Sequence, residues 1–591
     1  DVGVDCYLVL LETSGNQNFI FDTNKRRENV GASHLIASLV AWTEESLEGL
    51  VRGWTRRSRV PAHTAELVTA TSGDVKVLLT DGKRARELVT RVTRKALEVA
   101  SGLDVCGVVI PFQWDDEDPD PVMDAITTAY ATLPEVRTRR AGPQSRFPRL
   151  PIVDQCTSSG LPAAYLYDET SGRRSPRRSS AASAEPVPRS HPSAAKLEAA
   201  RDGYDRLARV TVGWVDPTVT CRTAPWEKPP TERDRPESAA TPAGGSGVGI
   251  SPWEARDGIE AVADYLERHA EWVAVVHADV NGLGAVLRNL TTRQAVEGCR
   301  GYVDLLAVYS ERIDRAAHEA FRAALDELRC YPGIKKVRRP GASESFFPVL
   351  PLILGGDDLT VVCDGPAALP FTAAFLQAFE NRTAALLHPK EKQLTAAAGV
   401  AVVKQHYPFS SAYQLADDLT DEAKRVKVKA VGASALSFHV LYDSAATGLD
   451  NLRARTTLPG GDRLVAQPYV VTGNDNAGWA DGRRWSDLLA RVTALRGTVD
   501  PTDGDSDRGR ALPRSQTHTL RAGLFLGRDT ADGRFQLLRN RYGRSGLSAL
   551  AANSERWSLF WEEGGVHITG LLDAMDAEEF IGDRDETAAS R

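Results

Sequence analysis

The pattern of apolar and polar positions over residues 1–165 predicts a mixed α/β unit. Apolar, β-rich runs at both ends predict buried strands, and 3.6-residue periodicity between them predicts amphipathic helices. A run with a central Ser72-Gly73-Asp74 is typical of a hairpin. The predicted order is strand, helix, hairpin, helix and strand, at 4–13, 31–51, 65–81, 84–102 and 105–112.

The same order recurs over residues 256–443 and is extended there by one more helix and strand. Each copy follows the split βαβ arrangement of the ferredoxin-like fold. We therefore predict an internal duplication of this α+β unit, inferred from element order and not from sequence identity. The predicted elements of the second copy are a strand, a long helix, a hairpin, a helix, a strand, a helix and a strand, at 272–280, 294–328, 347–365, 368–387, 394–405, 411–430 and 434–443.

Two other regions lack this pattern. Residues 166–255 are predicted to be a linker region, because they contain low-complexity segments rich in Ser, Pro, Gly and charge around one short helical piece at 194–210. Residues 444–591 are predicted to form a mostly helical C-terminal domain, interrupted by a polar loop at 499–515. No chemical motif stands out in this last region.

The hairpin of the second copy carries Gly355-Gly356-Asp357-Asp358 between two apolar runs. Two adjacent carboxylates repel each other unless a positive charge lies near them. Asp279 ends the predicted strand 272–280, which neighbours the hairpin in a split βαβ sheet, so we expect Asp279 and Asp357 to converge. Together with Asp358 and the main-chain carbonyl of Val280, they form an oxygen-rich site suited to Mg²⁺ or Mn²⁺. Two such ions at one site are suited to phosphoryl transfer.

Nearby glycines and one lysine fit a nucleotide at this site. Gly355 and Gly356 let a ligand approach the main chain closely. The turn after Asp279 opens a helix whose N-terminal amides are suited to phosphate, and a lysine late in the last helix supplies a point charge for a polyphosphate. The predicted nucleotide-binding residues here are Asn281, Gly282, Gly284, Gly355, Gly356 and Lys424. Each feature alone has a simpler structural explanation, but their joint occurrence in the right order favours a site.

Composition narrows the class of protein. The chain has 591 residues. Its net charge of -7 and pI of about 6.0 argue against a protein that coats nucleic acid through its overall charge. Local basic patches occur at 52–59, 137–140 and 173–178. The seven cysteines form no CxxC pair, which fits a reducing compartment without a zinc ribbon. Without a membrane span or signal peptide, we expect a cytoplasmic protein, although the chain starts at Asp1 and an upstream segment remains an open question.

Several motifs together resemble a known family. The stretches GGDD, HADVNGLG, TAAAGVAVVKQHYPF, the AK of EAKRVK and SALSFHVL, at 355–358, 277–284, 395–409, 423–424 and 434–441, resemble the second palm domain of the type III CRISPR large subunit. That palm is related to GGDEF cyclases. Residues 17–39 resemble the family's first palm. The resemblance implies a fold class of two ferredoxin-like (palm/GGDEF-like) domains in tandem plus a helical C-terminal region.

The resemblance also implies an activity and site residues. Members of the family make cyclic oligoadenylates from ATP, and stand-alone relatives make cyclic dinucleotides, as antiviral messengers. Asp279, Asp357 and Asp358 match the family's metal-binding carboxylates. We therefore expect a nucleotidyltransferase that uses two Mg²⁺ or Mn²⁺ ions and converts ATP, or other NTPs, into a cyclic oligonucleotide.

The sequence departs from the family in three respects. No His-Asp doublet precedes the first palm, so DNase activity is not predicted for this chain. Only Cys156 stands near the family's zinc-ligating cysteines, so no zinc is expected. The first copy has Glu12 but no second hairpin acid, so we predict a degenerate palm that binds a nucleotide without catalytic metals. Its predicted nucleotide contacts are Asn29, Gly31 and Ser33, although a helix N-cap is the simpler role for Ser33.

Three alternatives remain open from sequence. The first is a scaffold subunit of an RNA-guided type III complex, with guide or target RNA and small CRISPR subunits as partners. The second is a templated polymerase, which the acidic net charge disfavours. The third is a sensor that binds nucleotides without turnover. The base, ring size and linkage of the product, the trigger and the oligomeric state are not determined by the residues.

Overall fold

The structure is a computed structural model of the 591-residue chain. It describes residues 4–71, 73–168, 173–174, 186–213, 250–288, 296–387, 393–443, 448–473, 478–497, 512–542, 547–552 and 557–585. Most of the predicted polar loop at 499–515, and most of the basic patch at 173–178, lie outside these residues.

The first palm is a four-stranded antiparallel sheet with the strand order β2-β3-β1-β4. Its strands are β1 (Val4–Ser14), β2 (Ala65–Thr71), β3 (Asp74–Leu79) and β4 (Asp104–Trp114). Its helices are α1 (Asn16–Phe21), α2 (Arg26–Leu50), α3 (Gly82–Val99) and α4 (Asp120–Thr138). Val9 and Leu11 pack toward α2 and α3, whereas Leu8 and Leu10 pack toward α4. This alternation covers both faces of the sheet and confirms the predicted ferredoxin-like order.

The predicted linker region contains ordered elements. Three short strands, β5 (Tyr165–Asp168), β6 (Arg173–Arg174) and β7 (Val187–Arg189), form a small sheet and precede helix α5 (His191–Val212). Helix α5 contains the helical piece predicted at 194–210 and packs along α2. This helix therefore belongs to the packing of the first palm.

The second palm repeats the first sheet and extends it. The strand order is β9-β10-β8-β11-β12-β13, so its first four strands have the same arrangement as β2-β3-β1-β4. The strands are β8 (Trp272–Val280), β9 (Val349–Gly355), β10 (Asp358–Asp364), β11 (Ala396–Lys404), β12 (Ala435–Val440) and β13 (Tyr469–Val470). Only β12 runs parallel to its neighbour β11 among the paired strands described. The duplication is thus confirmed in topology.

The helices of the second palm are α6 (Pro252–Arg268), α7 (Leu283–Arg288), α8 (Gly298–Glu327), α9 (Gly365–Leu386), α10 (Phe409–Lys424) and α11 (Val426–Lys429). Alternate residues of β8 pack toward opposite faces. Ala274 and Val276 join a core with α8 and α9, whereas Val273 and Val275 join a core with α6 and α10 that continues into the first palm. The two palms therefore share one hydrophobic core on the α10 side.

The described part of the C-terminal region contains five helices joined by irregular segments. Its helices are α12 (Leu449–Arg455), α13 (Trp485–Arg496), α14 (Arg514–Phe525), α15 (Arg528–Tyr542) and α16 (Leu571–Ala577). It also contains the hairpin β14 (Trp561–Glu563) and β15 (Val566–Ile568), and its β13 joins the second palm sheet. Short 3₁₀ turns lie at Pro143–Arg146, Leu328–Cys330, Gly478–Ala480 and Ser548–Leu550. Within the described residues, no helix is both long and apolar enough to cross a membrane.

His439 on β12 is expected to make stability depend on pH. Burial lowers the pKa of His439 from 6.5 to about 4, and the nearby positive charge of Arg453 contributes to this shift. Between these two pKa values the unfolded chain binds a proton that the folded chain does not, so folding is favoured at high pH. Stability from this group is complete above pH 6.5 and is lost as the pH falls toward 4, by at most about 3 kcal/mol.

The substitution His439→Gln removes this titration. Urea midpoints measured at several values between pH 7.5 and pH 4.5 are expected to fall less steeply for His439→Gln than for the wild type. Parallel curves for the two proteins would contradict the assignment.

Candidate functional site

The acidic residues predicted from sequence meet at one end of the second palm sheet. Asp279 and Asp358 are directly opposite each other in the antiparallel pair β8–β10, where side chains of paired residues lie on the same face, with β-carbons about 5 Å apart. Asp357 lies in the turn before β10, and its main-chain oxygen accepts a hydrogen bond of 3.1 Å from the Val280 amide. One small cavity is lined by Asp279, Val280, Gly356, Asp357 and Asp358 together with apolar side chains.

The turn between β9 and β10 requires glycine. Gly356 has φ 61°, in the left-handed region that side chains other than glycine rarely adopt. Its amide donates a hydrogen bond of 3.1 Å to Asp314 Oδ1 on α8. Asp314 thus holds the acidic turn in place. Its role was not predictable from sequence, because this contact depends on long-range packing.

The pKa of Asp357 is raised above the usual value for an aspartate. Desolvation by the surrounding protein raises the pKa of Asp357, and the negative charges of Asp279, Asp358 and Asp74 raise it further. Asp74 belongs to the first palm, and the two palm hairpins lie close together, because a β-carbon at Gly356 would lie 3.8 Å from the side chain of Thr71. This crowding of carboxylates is the electrostatic signature expected where a cation binds.

Lys424 lies at the site but is already paired. Its Nζ is 2.8 Å from Asp279 Oδ2 and 3.0 Å from Asp421 Oδ1. Partial burial alone lowers the pKa of Lys424, but the hydrogen bonds to Asp279 and Asp421 outweigh burial, so the net pKa is raised. Lys424 is therefore a charged residue next to an acid of the site, and its predicted contact with a polyphosphate remains a prediction.

His277 was missed by the sequence analysis. Its buried imidazole places Nδ1 3.2 Å from Asp358 Oδ1 and Nε2 3.6 Å from Asp417 Oδ1 on α10. Burial alone lowers the pKa of His277, but the negative charges of Asp358 and Asp417 outweigh it, so the net pKa is raised. The available signal was its position two residues before Asp279 on a strand, which places both side chains on one face.

Helix α10 links this site to the first palm. The ring of Tyr413 packs edge-on against His277, with centroids 5.4 Å apart, and stacks on Phe21 of the first palm at 5.2 Å. At the start of α10, the Phe409 amide donates a hydrogen bond of 2.9 Å to Asn24 Oδ1. Because α10 also carries Asp417 and Lys424, the first palm helps to set their positions.

The turn after β8 lies beside the acids. The Asn281 amide donates to the Thr395 carbonyl at 2.7 Å, and Asn281 Nδ2 donates to Thr395 Oγ1 at 3.0 Å. This leaves Asn281 Oδ1 buried without a hydrogen-bond partner. Gly282 has φ 71° and begins the turn into α7, which contains Gly284. Nucleotide contacts by these three residues remain a prediction.

The residues predicted to bind a nucleotide in the first palm are buried in helix packing. Asn29 Nδ2 donates to the main-chain oxygens of Ile20 and Thr23. A β-carbon at Gly31 would lie 1.7 Å from the main-chain oxygen of Lys196 on α5. Ser33 Oγ contacts the main-chain oxygen of Leu352 on β9 and lies within α2, which begins at Arg26, so it is not an N-cap.

These locations do not support the predicted contacts, because all three residues fill interfaces with other elements and expose almost nothing. Asn29, Gly31 and Ser33 are therefore structural residues of the first palm. The first palm lacks a second hairpin acid, as predicted, because its hairpin contains Asp74 where the second palm has both Asp357 and Asp358. Asp74, the first residue of β3, lies directly opposite Glu12 on β1.

The second-palm residues fit a divalent cation in donor chemistry. Asp279, Asp357 and Asp358 supply hard carboxylate oxygens, which Mg²⁺ and Mn²⁺ prefer. Within the described ranges, no three His, Cys, Asp or Glu side chains form a ready metal cage. Mg²⁺ commonly takes only one or two protein carboxylates and completes its shell with water and substrate phosphates. The carboxylate pair across β8 and β10 is consistent with that mode of binding.

Comparisons with known proteins point to one family. Residues 272–431 match the family model described as Cas10/Cmr2, second palm domain. In a sequence comparison, none of the curated proteins matches this chain.

Three solved structures that match this chain have TM-scores below 0.5. The first is a Csm1–Csm4 cassette in complex with cA3, with 14% identity and a TM-score of 0.45, and the match covers 91% of this chain and 63% of that chain. The second is a Csm1–Csm4 cassette in complex with one ATP, with 14% identity, a TM-score of 0.46 and coverages of 94% and 65%. The third is Csm1 in T. onnurineus, with 12% identity, a TM-score of 0.43 and coverages of 92% and 65%. This chain therefore spans less than two thirds of the length of each of the three.

The matched range contains the whole candidate site. It begins with β8, which carries His277 and Asp279, includes the hairpin with Asp357 and Asp358, and ends after Lys424. The resemblance predicted from the motifs is confirmed over these residues, and the chain carries a second palm domain of the Cas10/Cmr2 type.

Proposed function

We propose that the chain is a nucleotidyltransferase that converts ATP, or other NTPs, into a cyclic oligonucleotide messenger in antiviral defence. The observation that carries the proposal is the pairing of Asp279 with Asp358, beside Asp357, at the open end of a palm sheet of the Cas10/Cmr2 type. Like charges repel, so the pair needs positive charge beside it. Lys424 contacts Asp279 and His277 contacts Asp358, and a divalent cation would supply further positive charge next to Asp357.

The proposed reaction joins nucleotides by phosphoryl transfer. A ribose hydroxyl oxygen of one nucleotide forms a bond to the α-phosphorus of another. The bond from that phosphorus to the oxygen bridging to the β-phosphate breaks, pyrophosphate leaves, and the hydroxyl proton passes to solvent. A final intramolecular step of the same kind closes the ring. Mg²⁺ or Mn²⁺ bound by Asp279, Asp357, Asp358 and the Val280 carbonyl would neutralise phosphate charge and lower the hydroxyl pKa.

The chain's own residues contribute positioning and charge. Asp314 holds the turn at Gly356, so the hairpin acids keep one geometry. His277 contacts Asp358, and Lys424 contacts Asp279. The glycines of the turn allow the phosphates of a nucleotide to approach the main chain. Preorganised groups of this kind lower the barrier because they need no rearrangement during the reaction.

The proposal is tested by product analysis. The purified chain is incubated with ATP and Mg²⁺ or Mn²⁺, and separately with all four NTPs, and products are identified by mass spectrometry. The double variant Asp357→Asn/Asp358→Asn should give no cyclic product. The matched control Asp326→Asn changes an exposed acid near the far end of α8 and should behave like the wild type.

Other outcomes favour other functions. A long linear product would favour a templated polymerase, and ATP binding without product a sensor. No product or ATP binding, even with RNA from phage-infected cells added, would favour a scaffold in an RNA-guided complex.

His277 is expected to act as a positioning residue for Asp358. The substitution His277→Phe keeps an aromatic ring against Tyr413 but removes the polar contact with Asp358. We expect kcat to fall about 10- to 100-fold, because partners that orient metal-binding carboxylates typically contribute that much. The activity of His277→Phe should also require more Mn²⁺ for half-maximal rate, which a purely structural role would not produce. An unchanged Mn²⁺ dependence would contradict this role.

A further inference from the structure

The first palm repeats the acidic pair of the second palm. Glu12 lies opposite Asp74 in the pair β1–β3, just as Asp279 lies opposite Asp358 in the pair β8–β10. In both palms one acid is near the end of the central strand and the other is the first residue of the strand that follows the hairpin turn. The duplication therefore extends from the topology to the charged residues.

A cation from the last helix is repeated as well. Arg137, near the end of α4, places Nη2 2.9 Å from Glu12 Oε1. Lys424, at the end of α10, places Nζ 2.8 Å from Asp279 Oδ2. Helix α4 follows β4 as α10 follows β11, so the two cations occupy corresponding places in the two palms.

The two palms differ in how the hairpin acid is held. Two residues after Asp74, on the same face of β3, Lys76 contacts Asp74 Oδ1, and Tyr130 on α4 donates to Asp74 Oδ2 at 2.7 Å. Both carboxylate oxygens of Asp74 therefore have protein donors. The residue corresponding to Lys76 in β10 is Thr360, which supplies no positive charge.

The central strands differ in a complementary way. The position corresponding to His277 on β8 is Leu10 on β1, two residues before Glu12. The side chain at this position of the central strand β1 is therefore apolar and does not support Asp74 as His277 supports Asp358. Lys76 takes over that contact, and its side chain is almost fully buried. Its ammonium group lies next to the oxygens that a metal ion would need.

We propose that the first palm contains a counterpart of the catalytic site in which Lys76 and Arg137 replace the divalent cation, and that Lys76 is the residue that excludes metal there. The proposal rests on the proposed metal-binding role of Asp279, Asp357 and Asp358. A divalent ion could bind Glu12 and Asp74 only by displacing a buried ammonium group from its carboxylate, which is costly. In the cleft between the palms, the second palm then supplies a metal-binding face. The first palm supplies a face whose positive charge comes from Lys76 and Arg137.

The two faces are neighbours. A β-carbon at Gly356, in the turn of the second palm, would lie 3.8 Å from the side chain of Thr71, in the hairpin of the first palm. Asp74 is therefore close to the metal-binding hairpin, and a metal ion on Asp74 would bring a second divalent charge to the same cleft. Exclusion by Lys76 avoids this and confines the divalent-cation requirement to the second palm.

The test counts bound metal in the full chain. In the background Asp279→Asn/Asp357→Asn/Asp358→Asn, Mn²⁺ binding is followed by the electron paramagnetic resonance signal of free Mn²⁺. We expect this background to show no Mn²⁺ site that depends on Glu12. Adding Lys76→Thr, which copies Thr360, should create about one site per chain with at least tenfold tighter Mn²⁺ binding than the background. Adding Glu12→Gln should abolish that gain, and Lys76→Arg should not produce it.

Failure of this proposal can be distinguished from failure of the proposed enzymatic function, because the experiment counts bound Mn²⁺ and does not measure product. Circular dichroism verifies folding, and Lys76→Met, which keeps the length of the side chain, replaces Lys76→Thr if the latter does not fold. A Glu12-dependent Mn²⁺ site with Lys76 intact would overturn the proposal. So would a folded Lys76→Thr or Lys76→Met chain that gains no such site.

Discussion

The substitution Asp279→Asn is expected to lower the rate of nucleotidyl transfer at least about 1,000-fold. Asp279 is on the central strand β8, opposite Asp358 and bonded to Lys424. Asparagine has nearly the same volume but no charge, so the fold should be kept while the attraction for a divalent cation is weakened. Metal ions typically contribute several kcal/mol of transition-state stabilisation, and about 1.4 kcal/mol corresponds to tenfold in rate.

The measurement is the single-turnover rate of product formation at saturating ATP and Mn²⁺, with ATP affinity determined separately. The matched control is Asp421→Asn, since the exposed Asp421 also contacts Lys424, at 3.0 Å, but is located on α10 and not on the sheet. We expect this control to keep its rate within a few-fold of the wild type. An Asp279→Asn chain that retains a tenth of the wild-type rate would show that the transfer does not depend on this acid.

The core of the site was predictable because its determinants are local. The apolar run at 272–280 indicates one strand, and the two apolar runs within 347–365 indicate two more. The glycines between those two runs indicate a tight turn. The split βαβ order then makes β8 and the hairpin neighbours, so the convergence of Asp279 with the hairpin acids follows from topology alone. The structure confirms this arrangement through the register that pairs Asp279 with Asp358.

The contacts between elements were not predictable in the same way. Neighbouring residues say nothing about whether His277 meets Asp417, because Asp417 reaches it from α10. Gly31 was predicted to contact a nucleotide, whereas it allows α2 to approach α5, an element far along the chain. A local pattern shows that a residue is special but does not identify its partner.

Asp74 illustrates the role of register. In the sequence, the hairpin Ser72-Gly73-Asp74 contains one acid, whereas Gly355-Gly356-Asp357-Asp358 contains two. The sequence alone does not show to which of these two acids Asp74 corresponds. The strand pairing shows that Asp74 corresponds to Asp358, whereas Asp357 corresponds to Gly73. Only the register between strands fixes this correspondence, because a shift by one residue reverses the face of every side chain.

The substitution Arg300→Ala is expected to destabilise the folded chain by about 3 kcal/mol. Arg300 on α8 of the second palm donates two hydrogen bonds, of 2.7 and 2.9 Å, to Glu66 on β2 of the first palm. The carboxylate of Glu66 is fully buried and also accepts a hydrogen bond of 3.0 Å from the Val60 amide. Loss of the guanidinium leaves a buried carboxylate without its main counter-charge, which costs far more than loss of an exposed ion pair.

The free energy of unfolding is obtained from urea titrations monitored by circular dichroism. The matched control is Arg315→Ala on the same helix, whose partner Glu319 lies one turn away and whose side chain is 56% exposed, so we expect a loss of at most about 0.5 kcal/mol. The double variant Glu66→Gln/Arg300→Met should recover part of the loss, because it removes the buried charge together with its partner. Because Arg300 joins the two palms, equal effects of Arg300→Ala and Arg315→Ala would mean that this ion pair does not hold the palms together.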